Sequence, residues 1–539
     1  SDMVVAAASP DYIANTHPPA IWLWQQPVRT THDSVTPEIS NNKPMTTKRK
    51  RSRNTVVPDI PFRSATRLAA MIRRRQIGCL ELLDCYLERI GRLNSRINAV
   101  IIVDEERARA RAKQADRAAA RKNWWGPLHG VPMTVKESFD IAGLPTTWGH
   151  VRQRKNIAQH NALAVQRLLG AGAVIFGKTN VPVGLADWQT YNPIYGTTNN
   201  PWDVARVPGG SSGGAAAALA AGLTGLELGS DIGASIRNPA HYCGVYGHKP
   251  TFELCPTHGH NLPPNVSTRD MMVIGPLARS SDDLAVALDI VGQPDEFTAR
   301  GLRIALAKPR THVRNLRIAV LSDAATAPVD DSVQAGVLAA AQAFARAGAT
   351  VSQKVLPKID LHDAHRTYIH LLRGATATAV RDEDYARLRR RAPRVRDDDD
   401  SYEAWMIRAT TMSHRDWHGW NEKREAIRHA WLQFFRDWDL LLCPAAASAA
   451  FEHNQKGERW HRMIPVNGAL QPTTTQLFWA GLSGMAYLPS TVAPIAFTDE
   501  RLPIGVQIVG PQYGDLQCIA AARFLERELQ PFVAPDEFV

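Results

Sequence analysis

The chain has 539 residues, of which 44% are hydrophobic and 21% charged, and its formal net charge is +11. That length is above the usual single-domain range, but α/β enzymes reach it with insertions, and the composition excludes fibrous and disulfide-dense classes. The basic residues are interleaved with acids and no nucleic-acid-binding motif accompanies them, so no nucleic-acid partner is expected.

Residues 1–58 are rich in Pro, Thr and Asn, lack periodicity and read as an extended or disordered arm ahead of one domain over 59–539. The densest basic cluster, Lys48-Arg49-Lys50-Arg51-Ser52-Arg53, falls in this arm and reads as a solvated tail. Trp22 and Trp24 are its candidates for docking on the body. The run Met3 to Ala8 has neither a basic n-region nor a long apolar stretch, so no secretory leader is expected.

Order is expected from Pro61. Ser64 can cap a helix through Leu68 and Ile72. A second helix carries Leu83, Tyr86, Leu87, Ile90, Leu93 and Ile97 on one stripe. Asp104 to Arg121 reads as a charged surface helix. Short apolar runs at Ala173 to Phe176, Ile318 to Leu321, Leu440 to Leu442 and Val506 to Val509 read as buried strands. Helices such as Val333 to Ala347 alternate with them, which predicts an α/β sheet covered by helices. The Ala-rich stretch from Ala215 is interrupted by Thr224 and Glu227 and predicts a buried helix. No window reaches the roughly 18–20 apolar residues of a membrane span. Residues 386–400 are a charge-dense break, read as an exposed loop or helix end. The segment with Trp405, Trp417, Trp420, Trp431, Phe434 and Phe435 reads as helical, its aromatics mostly core. The 6 cysteines are scattered and suggest no disulfide framework, which favours a reducing, cytoplasmic compartment.

The chemistry concentrates in three motifs. Lys136 stands in Gly130-Val131-Pro132-Met133-Thr134-Val135-Lys136, Ser211 in Pro208-Gly209-Gly210-Ser211-Ser212-Gly213-Gly214, and Ser235 in Ser230-Asp231-Ile232-Gly233-Ala234-Ser235-Ile236-Arg237. A serine hydroxyl needs an adjacent base to become a nucleophile at neutral pH. A lysine serves if burial lowers its pKa, and a second serine can bridge the two because a hydroxyl both accepts and donates. The small residues Gly233 and Ala234 let a turn bring several N–H groups toward one point, as an oxyanion requires. Other readings compete. Gly209-Gly210-Ser211-Ser212-Gly213 also fits a G-x-S-x-G nucleophile elbow, but leaves Lys136 and Ser235 unexplained. No lysine follows the glycines as a phosphate loop requires. His241, Cys243, His248, Cys255, His258 and His260 lack paired zinc-ligand spacing and read as core and loop residues.

These motifs resemble the amidase signature family, the Ser-cisSer-Lys amidohydrolases. The likeness continues through Gly177-Lys178-Thr179-Asn180, Tyr195-Gly196-Thr197-Thr198-Asn199-Asn200-Pro201-Trp202, Cys243-Gly244-Val245-Tyr246-Gly247-His248-Lys249-Pro250-Thr251 and Leu502-Pro503-Ile504-Gly505-Val506-Gln507. The resemblance implies one large, twisted, mixed sheet surrounded by helices. It implies Ser235 as nucleophile, Ser211 as bridging serine after a cis Gly210–Ser211 bond, and Lys136 as base. It further implies oxyanion donors from the backbone of Ile232, Gly233, Ala234 and Ser235, with Asp231, Arg237 and Ser212 in support. Ala234 departs from the usual glycine and is strained if its φ is positive.

The activity so implied is metal-free and cofactor-free hydrolysis of linear carboxylic amides to acid and amine. Aryl or apolar amides and anilides are weakly favoured by the aromatic content. Esters and carbamates on the same triad, and a partner-dependent amidotransferase-type subunit, are the alternatives. The substrate pocket is expected to involve a variable region at about 386–470, together with Trp188, Tyr191, Met271, Met272 and Trp479. A monomer or homodimer is expected.

Overall fold

The computed structural model describes residues 60–539. The N-terminal arm, its basic cluster and Trp22 and Trp24 lie outside the described residues. The central sheet has eight strands in the order Thr350–Ser352, Arg317–Val320, Leu440–Pro444, Pro503–Val509, Ser490–Phe497, Tyr246–Lys249, Val273–Ala278 and Glu227–Asp231. The first three are parallel and every later pairing is antiparallel, so the sheet is mixed. Leu440–Pro444 and Pro503–Val509 are buried along their whole length. That explains their near-continuous apolar sequence: both faces are covered.

The covering helices follow from the sequence stripes. Asp331–Arg346 buries Val333, Val337, Ala340 and Phe344, positions that recur on one helical face, and packs on the sheet. Ala65–Arg73 starts where Ser64 Oγ accepts from the Arg67 N–H at 3.3 Å. Gly213–Ala220 is buried at every position, as expected for a helix that is apolar all round. Helices Tyr402–Thr411 and His414–Asp437 pack on Leu361–Thr376 and bury Trp405 and Trp431, while Trp417 and Trp420 are only partly covered. The charge-dense break ends the helix Asp382–Arg391, and residues 396–400 are exposed.

A second, three-stranded sheet places Val174–Thr179 between Val100–Val103 and Pro132–Lys136. The last of these strands delivers Lys136 close to the end of the edge strand Glu227–Asp231. Of the histidines considered for metal binding, His258 is exposed beside Asp295, and the other three are core hydrogen-bonding groups. His241 meets the Gly505 backbone and Ser448 carbonyl, His248 lies between Thr491 and Asp515, and His260 Nε2 is 2.9 Å from Ser138 Oγ.

Candidate active site

Lys136 is fully buried, with its Nζ 2.7 Å from Ser211 Oγ and 3.0 Å from Ser230 Oγ. Burial lowers its pKa to about 7, against the opposing pull of Asp231 and Glu137. The physical cause is loss of hydration of the ammonium, so a sizeable neutral fraction exists near neutral pH. Glu137, the next residue, accepts from the N–H groups of Thr147 and Trp148 at 2.6 and 3.0 Å. It thereby pins the loop that carries Trp148 beside the site.

Ser211 follows the Gly209-Gly210 pair, and the Gly210–Ser211 peptide is cis, as the resemblance implies. A Cβ at Gly210 would stand 2.2 Å from the Asp187 carbonyl, so only glycine fits there. The next residue, Ser212, joins the two serine segments. Its N–H donates to the Ser235 carbonyl at 3.0 Å, and its Oγ lies 3.4 Å from both the N–H and the carbonyl of Ser230.

The loop after Glu227–Asp231 is folded around one carboxylate. Asp231 accepts from the N–H groups of Ala234 at 2.9 Å, Ile236 at 3.0 Å and Arg237 at 3.3 Å. The Arg237 guanidinium completes the set at 2.8 and 3.0 Å. Burial alone would raise the Asp231 pKa; the Arg237 charge and the N–H donors reverse that and hold it at about 2. Arg237 also donates to the Ala480 carbonyl, Ser483 Oγ and Gln507 Oε1. Ala234 has φ +70°, the left-handed region that favours glycine. Its N–H is committed to Asp231, which corrects its expected place among the oxyanion donors. Among the described residues no hydrogen bond takes the N–H groups of Ile232, Gly233 or Ser235.

Ser211, Ser230, Asp231, Ile232, Gly233 and Ser235 share one cavity of about 540 Å³. Trp188 lines it as expected, its Nε1 donating to the Gly233 carbonyl at 2.9 Å. Three expected pocket residues do not line it. Met271 sits at φ +61° in the turn before Val273–Ala278 and is buried, whereas its neighbour Met272, also expected at the pocket, lines the cavity. Trp479 lies two residues past the cavity-lining Leu477 on the same helix, hence on the opposite side, and is fully buried. Tyr191 accepts from Arg462 at 3.0 Å and borders a separate depression.

The 386–470 region contributes Arg387, Leu388, Arg391, Tyr402, Met406 and Trp460, but the wall begins earlier, at Leu372 and Arg373. Ser230 is a site residue that sequence reasoning misses, although it stands inside a quoted motif. Arg269, Arg373 and Arg459 also line the cavity, and nothing in their local sequence signals it.

The chain matches the Amidase family over residues 81–519. It is 33% identical over 503 residues to one of the subunits of the glutamyl-tRNA(Gln) amidotransferase of Anaeromyxobacter sp. strain K, covering 87% of this chain and 96% of that one. It is 30% identical over 478 residues to the indoleacetamide hydrolase of Bradyrhizobium diazoefficiens, covering 86% of each. The solved structure of a bacterial aryl acylamidase of the amidase signature enzymes shares the fold, with a TM-score of 0.74, 24% identity, and 87% and 96% of the two chains covered. With its mixed-sheet fold and the extent of these matches, the chain belongs to the amidase signature family and is an amide hydrolase.

Proposed function

We propose that the chain cleaves linear amides through an acyl-enzyme on Ser235, with Ser211 as proton relay and Lys136 as base. The observation that carries this reading is a buried lysine 2.7 Å from Ser211 Oγ, on the same cavity as Ser235. Neutral Lys136 takes the Ser211 proton as Ser211 takes that of Ser235, and Ser235 Oγ attacks the carbonyl carbon. The developing oxyanion is met by the N–H groups of Ile232, Gly233 and Ser235. Collapse breaks the C–N bond, and the proton returns through Ser211 to the departing amine. Water then attacks the ester by the same route and frees the acid and Ser235.

The cavity walls are aromatic and aliphatic, with Trp148, Trp188, Met272, Leu372, Tyr402 and Trp460, which favours aryl or apolar amides and anilides. The same machinery accepts esters and carbamates in principle, and a substrate panel ranks the three. An amidotransferase-type role is the second reading, favoured by the 33% identity to a component of such an enzyme.

A fluorophosphonate with peptide mapping tests the mechanism. An adduct on Ser235, absent from Lys136→Ala, together with loss of turnover in Ser235→Ala, is the expected result. An adduct on Ser211, or ordinary rates in Ser235→Ala, rejects it.

A further inference from the structure

Six arginines line the cavity: Arg269, Arg373, Arg381, Arg387, Arg391 and Arg459. Three of them are paired with two carboxylates at its rim. Arg381 and Arg387 share Asp384, and Arg391 meets Glu403. Of the other acids lining the cavity, Asp187 and Asp231 are taken by Arg462 and Arg237, and Glu458 lies near Arg459 without ion-pair contact to it. Among the described residues, Arg269, Arg373 and Arg459 pair with no carboxylate. Arg269 lies over the Trp148 ring at 5.8 Å. Arg373 donates to Tyr402 Oη and lies over its ring, yet its Nε is buried with no acceptor. Arg459 donates to the Ala186 carbonyl. Arg373 and Arg459 are both partly buried, and burial and the nearby Arg373 charge lower the pKa of Arg459 while Asp187 and Glu458 pull it the other way.

Charges removed from water ordinarily have partners, because desolvation is costly. Two guanidiniums without ion-pair partners, on a cavity where six arginines face four carboxylates, therefore leave a place for an anion. The planar fork of arginine matches a carboxylate in particular. We infer that the substrate is an amide whose apolar body also carries a carboxylate, held by Arg373 and Arg459 while the amide carbonyl lies at Ser235. Arg269 adds positive potential to the same cavity. This rests on the amidase reading of the site and goes beyond it by naming the charge of the substrate.

Binding to the Ser235→Ala variant tests the inference without turnover. The probes are glutaric acid mono-anilide, with its carboxylate on the acyl side, 4-(hexanoylamino)benzoate, with it on the amine side, and neutral hexananilide. At least one carboxylate probe is expected to bind at least about tenfold tighter than hexananilide at low salt. Added Arg373→Gln or Arg459→Gln should remove that advantage, with hexananilide affinity as the control for an intact pocket. Equal or weaker binding of both carboxylate probes overturns the inference, as does an advantage that survives both substitutions. Failure of the native enzyme to hydrolyse any of the three would reject the amidase reading instead, and the binding comparison would still decide the charge preference.

Discussion

Lys136 is fully buried, with two serine hydroxyls within 3.0 Å of its amine. Burial favours the neutral amine, and the neutral amine is the form that can accept a proton. Its pKa of about 7 sets the sign of the pH dependence: the active fraction rises as pH rises through that value. kcat/KM for a neutral anilide is expected to fall about tenfold per pH unit below the transition and to level off above it. A flat profile between about pH 6 and 9 would contradict Lys136 as base. Ala234 makes the second residue-scale case, because its φ is +70°. An alanine there costs roughly 1–2 kcal/mol, and a glycine loses about 0.5–1 kcal/mol in chain entropy. Ala234→Gly should thus leave the urea midpoint unchanged or raised. A clear drop would show that the loop is not strained at that position.

Among the elements, the loop after Glu227–Asp231 and the helix Arg237–Cys243 are fastened by one ion pair. Asp231 caps the loop from inside, and Arg237 ties both to the helix Leu477–Gly484 and the strand Pro503–Val509. Both side chains are buried, at 1% and 0% exposure, so neither can fall back on water. Arg237→Ala leaves a buried, uncompensated carboxylate and is expected to cost about 3–5 kcal/mol in urea unfolding. Its turnover should fall even at temperatures where the variant is fully folded, because the N–H groups of residues 232–235 lose their template. Unchanged kcat in a folded Arg237→Ala enzyme would separate the ion pair from the oxyanion site. Helix and strand positions are largely legible from periodicity: Ser64 marks a true cap, and the apolar run at 440–442 marks a strand covered on both faces. The orientation of a side chain around its element is not. Leu477 and Trp479 share a helix, and which one meets the cavity depends on how that helix docks.

For the molecule as a whole, the site gathers groups from distant parts of the chain: Lys136 from the small sheet, Ser211 from just before the buried Ala-rich helix, Ser235 from just after the edge strand, and the wall from residues 148–188, 269–272 and 372–477. All three groups named in the mechanism come from this one chain. The purified chain alone is therefore expected to hydrolyse anilides. Turnover that appears only with added partner proteins would favour the amidotransferase-type reading. Among the described residues no helix is long and apolar enough to cross a membrane. The family, the α/β class and the three groups of the proposed triad are legible in the linear chain, because they rest on short contiguous motifs whose backbone geometry demands particular residues. Gly210 is such a case: its missing Cβ is required by the Asp187 carbonyl. Folding was needed to reveal the contact of Ser230 with Lys136, the engagement of the Ala234 N–H by Asp231, and which of the neighbours Met271 and Met272 reaches the cavity. It is also what brings Arg373 and Arg459 to one cavity with no carboxylate in ion-pair contact. They are 86 positions apart in the sequence (459 − 373), and local patterning carries no information about which distant charges a fold brings into one cavity.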